Sequence, residues 1–160
     1  MSNVALVASP GGHLTQALAV AQALHGEHRF FVCVTGFEVV RDLQLPEAAR
    51  VYRFPVWLNY SIPLGTAVSV IGALFEFIRV FRREKPDCIV STGAEIALPA
   101  LLVNKLFFRK PSLFIESLSR VREPSLTGRL AARLADRVFV QWPEVAEHYK
   151  GKAEYHGRLV

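Results

Sequence analysis

Seven short runs rich in β-branched and aromatic residues punctuate this chain, and most of them are nearly continuous in apolar side chains. They are Val4 to Ala8, Arg29 to Thr35, Arg50 to Phe54, Asp87 to Ser91, Ser112 to Glu116, Arg137 to Gln141 and Ala153 to His156. A strand wetted on one face alternates apolar with polar residues, whereas a strand covered on both faces has no reason to. Longer stretches with apolar residues at helical spacing separate most of these runs, as in Ala17, Leu18, Ala21 and Leu24 after the first. Strand and helix in alternation predict an α/β domain on a parallel, doubly wound sheet of Rossmann type. The 160 residues contain no repeat and no dividing linker, so residues 1–160 read as one such domain.

Charge is distributed unevenly. Residues 1–80 carry five basic and five acidic side chains, and residues 81–160 carry fourteen against nine, so the second half holds the whole net charge of +5. An anionic partner is expected there. Nucleic acid fits poorly, because the aromatics cluster with aliphatics instead of interleaving with Lys and Arg. Cys33 and Cys88 lie inside strand-like runs and read as small reduced hydrophobes of a cytosolic protein. Val4 to Ala8 is too short for a signal peptide, and Leu58 to Phe75 reaches eighteen uncharged residues only by including polar residues, Pro63 and two glycines. It makes a poor membrane span.

In an open parallel sheet, ligands bind beyond the carboxyl ends of the strands, where the strand order reverses. Three loops fall at such ends. In the first, S-P-G-G-H-L, Gly11 and Gly12 admit a ligand close to the backbone, and the following helix offers free N–H groups to an anion with His13 at the mouth. The loop lacks the third glycine of a dinucleotide fingerprint and the Gly-Lys-Ser/Thr of a P-loop, and a glycine pair alone can be a tight turn. In the second, S-T-G-A-E-I, Gly93 repeats the geometry beside the first loop, Thr92 is placed to cap a helix from about Glu95 to Phe108, and Glu95 suits its dipole. The third, I-E-S-L-S-R-V-R-E-P-S-L-T-G-R, Ile115 to Arg129, has Glu116 and Ser117 at a strand end and continues into Arg120 and Arg122. The two arginines could hold a diphosphate, or the loop's charges could neutralise one another. The remaining histidines show no metal spacing, so neither a metal nor another cofactor is expected.

Two stretches raise the question of a membrane. Ile62 to Phe81 is apolar over most of its surface and ends in Arg79, Arg82, Arg83 and Lys85. Leu101 to Phe108, with Lys105, Arg109 and Lys110, repeats the pattern. Together they predict an in-plane contact with a membrane surface, although such helices also simply cover sheets.

The segments V-A-L-V-A-S-P-G-G-H-L-T-Q, V-S-T-G-A-E-I-A-L-P-A-L, F-I-E-S-L-S-R-V-R-E-P-S-L-T-G-R-L and D-R-V-F-V-Q-W-P-E, followed by E-Y-H-G-R-L-V, resemble the acceptor-side subunit of two-chain glycosyltransferases. These comprise the dolichol-linked chitobiose-forming enzyme of eukaryotes and its bacterial relatives in capsule and exopolysaccharide assembly. The chain looks closest to the bacterial exopolysaccharide form, since the eukaryotic subunit's long N-terminal membrane helix has no counterpart in it. The resemblance implies the N-terminal half of a GT-B glycosyltransferase, peripheral or monotopic on the cytoplasmic face of the membrane. A partner chain would bind the UDP-sugar, and this half a polyprenyl-diphosphate-linked saccharide. It also implies an acceptor or diphosphate site at Gly11, Gly12, Thr92, Gly93, Glu95, Ser117, Arg120 and Arg122. His13 or Glu116 would be the base of an inverting transfer, a choice the sequence leaves open. The end of the chain, Tyr155 to Val160, is expected either at the partner interface or folded back onto its own sheet. A non-catalytic anchor that activates a catalytic partner is the alternative function, and a stand-alone nicotinamide-dependent oxidoreductase is disfavoured by the missing fingerprint.

Overall fold

The computed structural model describes residues 1–35, 49–54 and 63–159. Its elements run β1 (Ser2–Ala8), α1 (Gly12–Ala23), β2 (His28–Thr35), β3 (Arg50–Phe54), α2 (Pro63–Glu84), β4 (Cys88–Gly93), α3 (Ala97–Val103), β5 (Ser112–Ile115), α4 (Leu126–Ala131), β6 (Arg137–Val140), α5 (Pro143–Ala146) and β7 (Ala153–Tyr155). All seven strands are parallel in the order β3-β2-β1-β4-β5-β6-β7. This is the doubly wound arrangement that the apolar runs predict. Gly36, the glycine that follows β2, and Ile62, the first residue of the expected membrane-facing stretch, lie outside the described residues.

The apolar continuity of the strands has a direct structural cause. Along β1, Ala5 and Val7 enter one core, while Val4, Leu6 and Ala8 enter the other; along β2, Phe31 and Cys33 part from Phe30, Val32 and Val34 in the same way. Successive side chains point to opposite faces of a strand, so a sheet covered twice needs apolar residues at every position. α1 covers one face with Leu14, Ala17 and Leu18. The other is covered by α2 through Phe77, Val80 and Phe81, and by α3 through Ala97, Ala100 and Leu101. The helices after β1 and β4 therefore leave toward opposite faces, and a crevice opens between their N-termini.

Helix ends differ from expectation in three places. α3 begins at Ala97 with no side-chain cap, and Thr92 is engaged elsewhere. After Val103 the backbone widens into a π turn, Asn104–Phe108, that ends with Arg109 at φ 53°. The buried Asn104 amide closes this turn, donating to the Lys110 carbonyl at 2.7 Å and accepting from the Lys110 N–H at 3.0 Å. Ser125 caps α4 by accepting from the Gly128 N–H at 2.8 Å, a short helix inside what reads in the sequence as a loop.

At the sheet edge, Glu84 accepts hydrogen bonds from the Tyr52 hydroxyl and, at 2.9 Å, from Arg50. Burial pushes its carboxyl up, but those two donors outweigh burial and hold it below the ordinary carboxylate range. A depressed carboxyl stabilises the fold at neutral pH and loses that effect as pH falls through its folded value. The melting temperature of Glu84→Gln should therefore lie below that of the native chain at pH 7, with the gap closing in acid. A gap independent of pH would mean that packing alone is at work.

Phe77 stacks on Phe54 with ring centroids 4.1 Å apart, and both rings are fully buried. Phe77→Ala should cost about 3–5 kcal/mol in denaturant unfolding. A loss well under that range would show that α2 does not seal this face.

Candidate functional site

The backbone leaves β1 through Ser9 and Pro10 and turns at Gly11, whose φ of 80° suits glycine. Gly11 is the N-cap of α1 and offers no side-chain acceptor to the first turn, and a methyl on Gly11 or Gly12 would meet nothing within 4 Å. The first turn of α1 is therefore uncapped by any side chain and uncrowded at its two exposed glycines, the setting in which helix N-terminal amides receive an anion.

His13 lies in that first turn, half-buried, with Nδ1 2.6 Å from the Thr92 carbonyl oxygen. A carbonyl only accepts, so Nδ1 carries the proton in this contact and the neutral ring keeps its lone pair on Nε2. The Thr92 hydroxyl returns a bond to the His13 carbonyl at 2.7 Å. The ring rests on Gly93, where a Cβ would come within 3.1 Å of Cε1. Backbone contacts close the same seam: the Ser9 N–H donates to the Gly93 carbonyl at 3.1 Å, and the Ala94 N–H to Ser9 Oγ at 3.4 Å. The structure therefore joins Gly11, Gly12, His13, Thr92 and Gly93 in one corner, with Thr92 serving the imidazole instead of capping a helix.

Glu116 departs from its expected place beside an attacking hydroxyl. It is 1% exposed, and its carboxylate points inward. One oxygen accepts from the Ser117 N–H at 3.0 Å and the Ser125 hydroxyl at 2.9 Å; the other accepts from the Ser125 N–H at 3.0 Å and the Tyr149 hydroxyl at 2.6 Å. Four donors fill the four lone-pair positions of a carboxylate. Burial, and then the adjacent carboxylate, push the Tyr149 phenol well above its ordinary range, so it stays a donor.

The remaining candidates lie outside this bonded corner. Glu95 sits half-buried in the turn before α3, and Ser117 Oγ bonds Ser119 Oγ at 3.0 Å. Arg120 and Arg122 are exposed, and neither forms an ion pair among the described residues; Glu123 instead approaches Arg129 at 3.8 Å. The expected neutralisation within the loop is therefore not what the structure shows. Beyond β7 the chain folds back: the Leu159 N–H donates to Gln141 Oε1 at 3.0 Å, Leu159 packs on the α1-side core, and the Arg158 guanidinium lies 3.6 Å from the centroid of the Trp142 ring. Buried Gln141 also donates to Gln16 on α1 and to the Glu116 carbonyl. Gln16, Gln141 and Tyr149 escape a reading of the sequence because nothing in their neighbouring residues points to partners so far along the chain.

A family model described as "Oligosaccharide biosynthesis protein Alg14 like" matches residues 59–159. This chain belongs to the Alg14-like family. The Alg14-like chain is 35% identical to the UDP-N-acetylglucosamine transferase subunit ALG14 of Yarrowia lipolytica, over 94% of its own length and 77% of that protein. It is 30% identical, over 94% of its length but 42% of the other, to the UDP-N-acetylglucosamine--N-acetylmuramyl-(pentapeptide) pyrophosphoryl-undecaprenol N-acetylglucosamine transferase of Lawsonia intracellularis. The crystal structure of Acinetobacter baumannii MurG shares its fold with a TM-score of 0.74 at 22% identity, over 91% of the Alg14-like chain and 43% of MurG. The architecture is the Rossmann-like N-terminal half of a GT-B protein.

The contact at Nδ1 has a direct spectroscopic consequence. Nitrogen-15 spectra of the neutral His13 ring should show the proton on Nδ1 and a bare Nε2; the reverse tautomer would contradict the Thr92 contact.

Proposed function

We propose that this chain is the acceptor-binding subunit of an inverting glycosyltransferase that draws on UDP-N-acetylglucosamine and extends a saccharide carried on a lipid diphosphate. The observation that carries the reading is His13, whose Nε2 has no partner among the described residues and stands beside the exposed N-terminus of α1 while Thr92 holds the opposite nitrogen. The names of the two relatives above support the donor, and the second supports a pyrophosphoryl-linked polyprenol as acceptor. They carry nothing about capsule or exopolysaccharide assembly, which therefore forms no part of this proposal.

In this mechanism the acceptor hydroxyl hydrogen-bonds to His13 Nε2. As its oxygen attacks the anomeric carbon from the face opposite the nucleotide, the proton passes to Nε2 and the UDP leaves with the electrons of the broken bond. The Thr92 carbonyl, already bonded to Nδ1–H, stabilises the imidazolium that results. The amides of Gly12 and His13, with Arg120 and Arg122, hold the acceptor's diphosphate by charge-assisted hydrogen bonds. A partner chain supplies the donor-binding half of the GT-B fold.

An apolar face supports attachment at a membrane surface, where such an acceptor resides. Ile71 and Phe75 of α2, with Leu106 and Phe107 of the π turn, stand more than half exposed around an apolar groove of about 360 Å³. Arg82, Arg83, Lys105 and Arg109 are exposed on the same two segments, the complement of anionic headgroups. No helix among the described residues is long and apolar enough to cross a membrane. The same face favours the second reading, a non-catalytic anchor for a catalytic partner.

Reconstitution with the donor-binding chain separates the two readings. On the leading reading, His13→Ala lowers kcat by roughly 10²–10⁴-fold with folding and membrane sedimentation intact. Undiminished turnover would leave only the anchor.

A further inference from the structure

The loop from Ser117 to Ser125 carries Arg120 and Arg122, yet the hydrogen bonds of its exposed middle among the described residues are local ones to Ser117, from the Arg120 N–H at 3.0 Å and from Ser119. Its contacts gather at its base. Both oxygens of Glu116 bind Ser125, one through the hydroxyl and one through the backbone N–H, and one of them also takes the Ser117 N–H, so a single carboxylate joins the first and last residues of the loop. Ser125 at the same time caps α4 by accepting from Gly128, which ties the far end of the loop to a helix. The Trp142 indole N–H donates to the Leu118 carbonyl at 2.7 Å, one residue inside the base.

Two residues distant in sequence complete the arrangement. Tyr149, 6% exposed at the end of the helical segment that follows α5, aims its hydroxyl at Glu116 Oε2. Gly128 on α4 faces the same point, and a methyl group there would overlap both the carboxylate and the phenol oxygen. The buried Glu116 charge has its full complement of donors only while Gly128 stays bare and Tyr149 stays in place. Removing one donor leaves a buried lone pair unsatisfied, a cost that opening of the loop to water would relieve.

We propose that Glu116, Tyr149 and Gly128 form a positioning clamp that closes the base of the 117–125 loop and so fixes where Arg120 and Arg122 meet an acceptor's diphosphate. The role of the two arginines rests on the function proposed above; the clamp itself rests on the contacts. Glu116 is then a positioning residue, one that acts through the loop and touches no substrate. Pre-ordering the loop spares the acceptor part of the entropy of arranging it, so the clamp acts on acceptor affinity.

Tyr149→Phe removes one donor and keeps the ring. Hydrogen exchange on the full chain should run about tenfold faster over residues 117–125, with β1 and α1 unchanged; unaltered exchange in the loop overturns the clamp. With the partner chain added and a polyprenyl-diphosphate saccharide varied, Tyr149→Phe should raise the acceptor KM by about tenfold while kcat and the donor KM stay within about twofold. In an Arg120→Ala/Arg122→Ala background that rise should vanish. A rise that persists there, or a loss falling on kcat, overturns the link to the arginines. Glu116→Gln, similar in size with one oxygen replaced by a donor, should give the same pattern more strongly, and it decides the matter should Tyr149→Phe not fold. If the native pair transfers no sugar, the proposed function fails, and loop exchange alone still judges the clamp.

Discussion

The seam between β1 and β4 is the constraint from which the rest of the structure follows. The two strands pair in parallel, with Val4 opposite Cys88 and, after a shift in register, Ala8 opposite Gly93. Parallel pairing brings both carboxyl ends to the same edge, and the helices that follow must leave it toward opposite faces. The gap between them cannot be filled by the sheet. It is instead stitched by short-range bonds, Ser9 to Gly93 and Ala94, and His13 to Thr92 in both directions. Those bonds fix the imidazole at the mouth of α1, whose first turn has no side-chain cap among the described residues. In the proposed function a base and an anion site thus share one origin in the topology.

The contrast between His13 and Glu116 shows how environment assigns chemistry. Both stand at or just beyond strand ends, and both residue types act as general bases. The imidazole keeps one nitrogen bonded and the other open, half-exposed; the carboxylate is enclosed, with each oxygen bonded twice. A group that must take a proton from a substrate needs an accessible lone pair, and only the histidine has one. The carboxylate's worth lies in what it holds still.

The surface divides along similar lines. The basic excess of the second half does not neutralise itself in the Arg120–Arg122 loop, and Val68, Ile71, Phe75, Leu106 and Phe107 stand exposed on α2 and the π turn. A chain that leaves Phe75 and Phe107 mostly exposed on segments that also carry exposed cations presents a surface suited to the boundary between lipid and water. In the proposed function one protein faces a lipid through this surface and a diphosphate through the crevice.

From its sequence alone this chain determined its strands, their burial on both faces, the parallel α/β class and the glycine turn at Gly11, because strand periodicity and positive-φ sterics are properties of a few consecutive residues. Local pattern also suggested a capping role for Thr92 and a loop where α4 forms, and there it failed; Glu116, expected at a strand end with a base's role implied by the resemblance, is buried instead. His13 and Thr92 lie 79 positions apart, Glu116 and Tyr149 33, Gln16 and Gln141 125. Only the tertiary structure decided these partnerships. Strand order and register determine which distant side chains meet, and a polar group's role is set by whichever donor or acceptor it finds once water has been excluded.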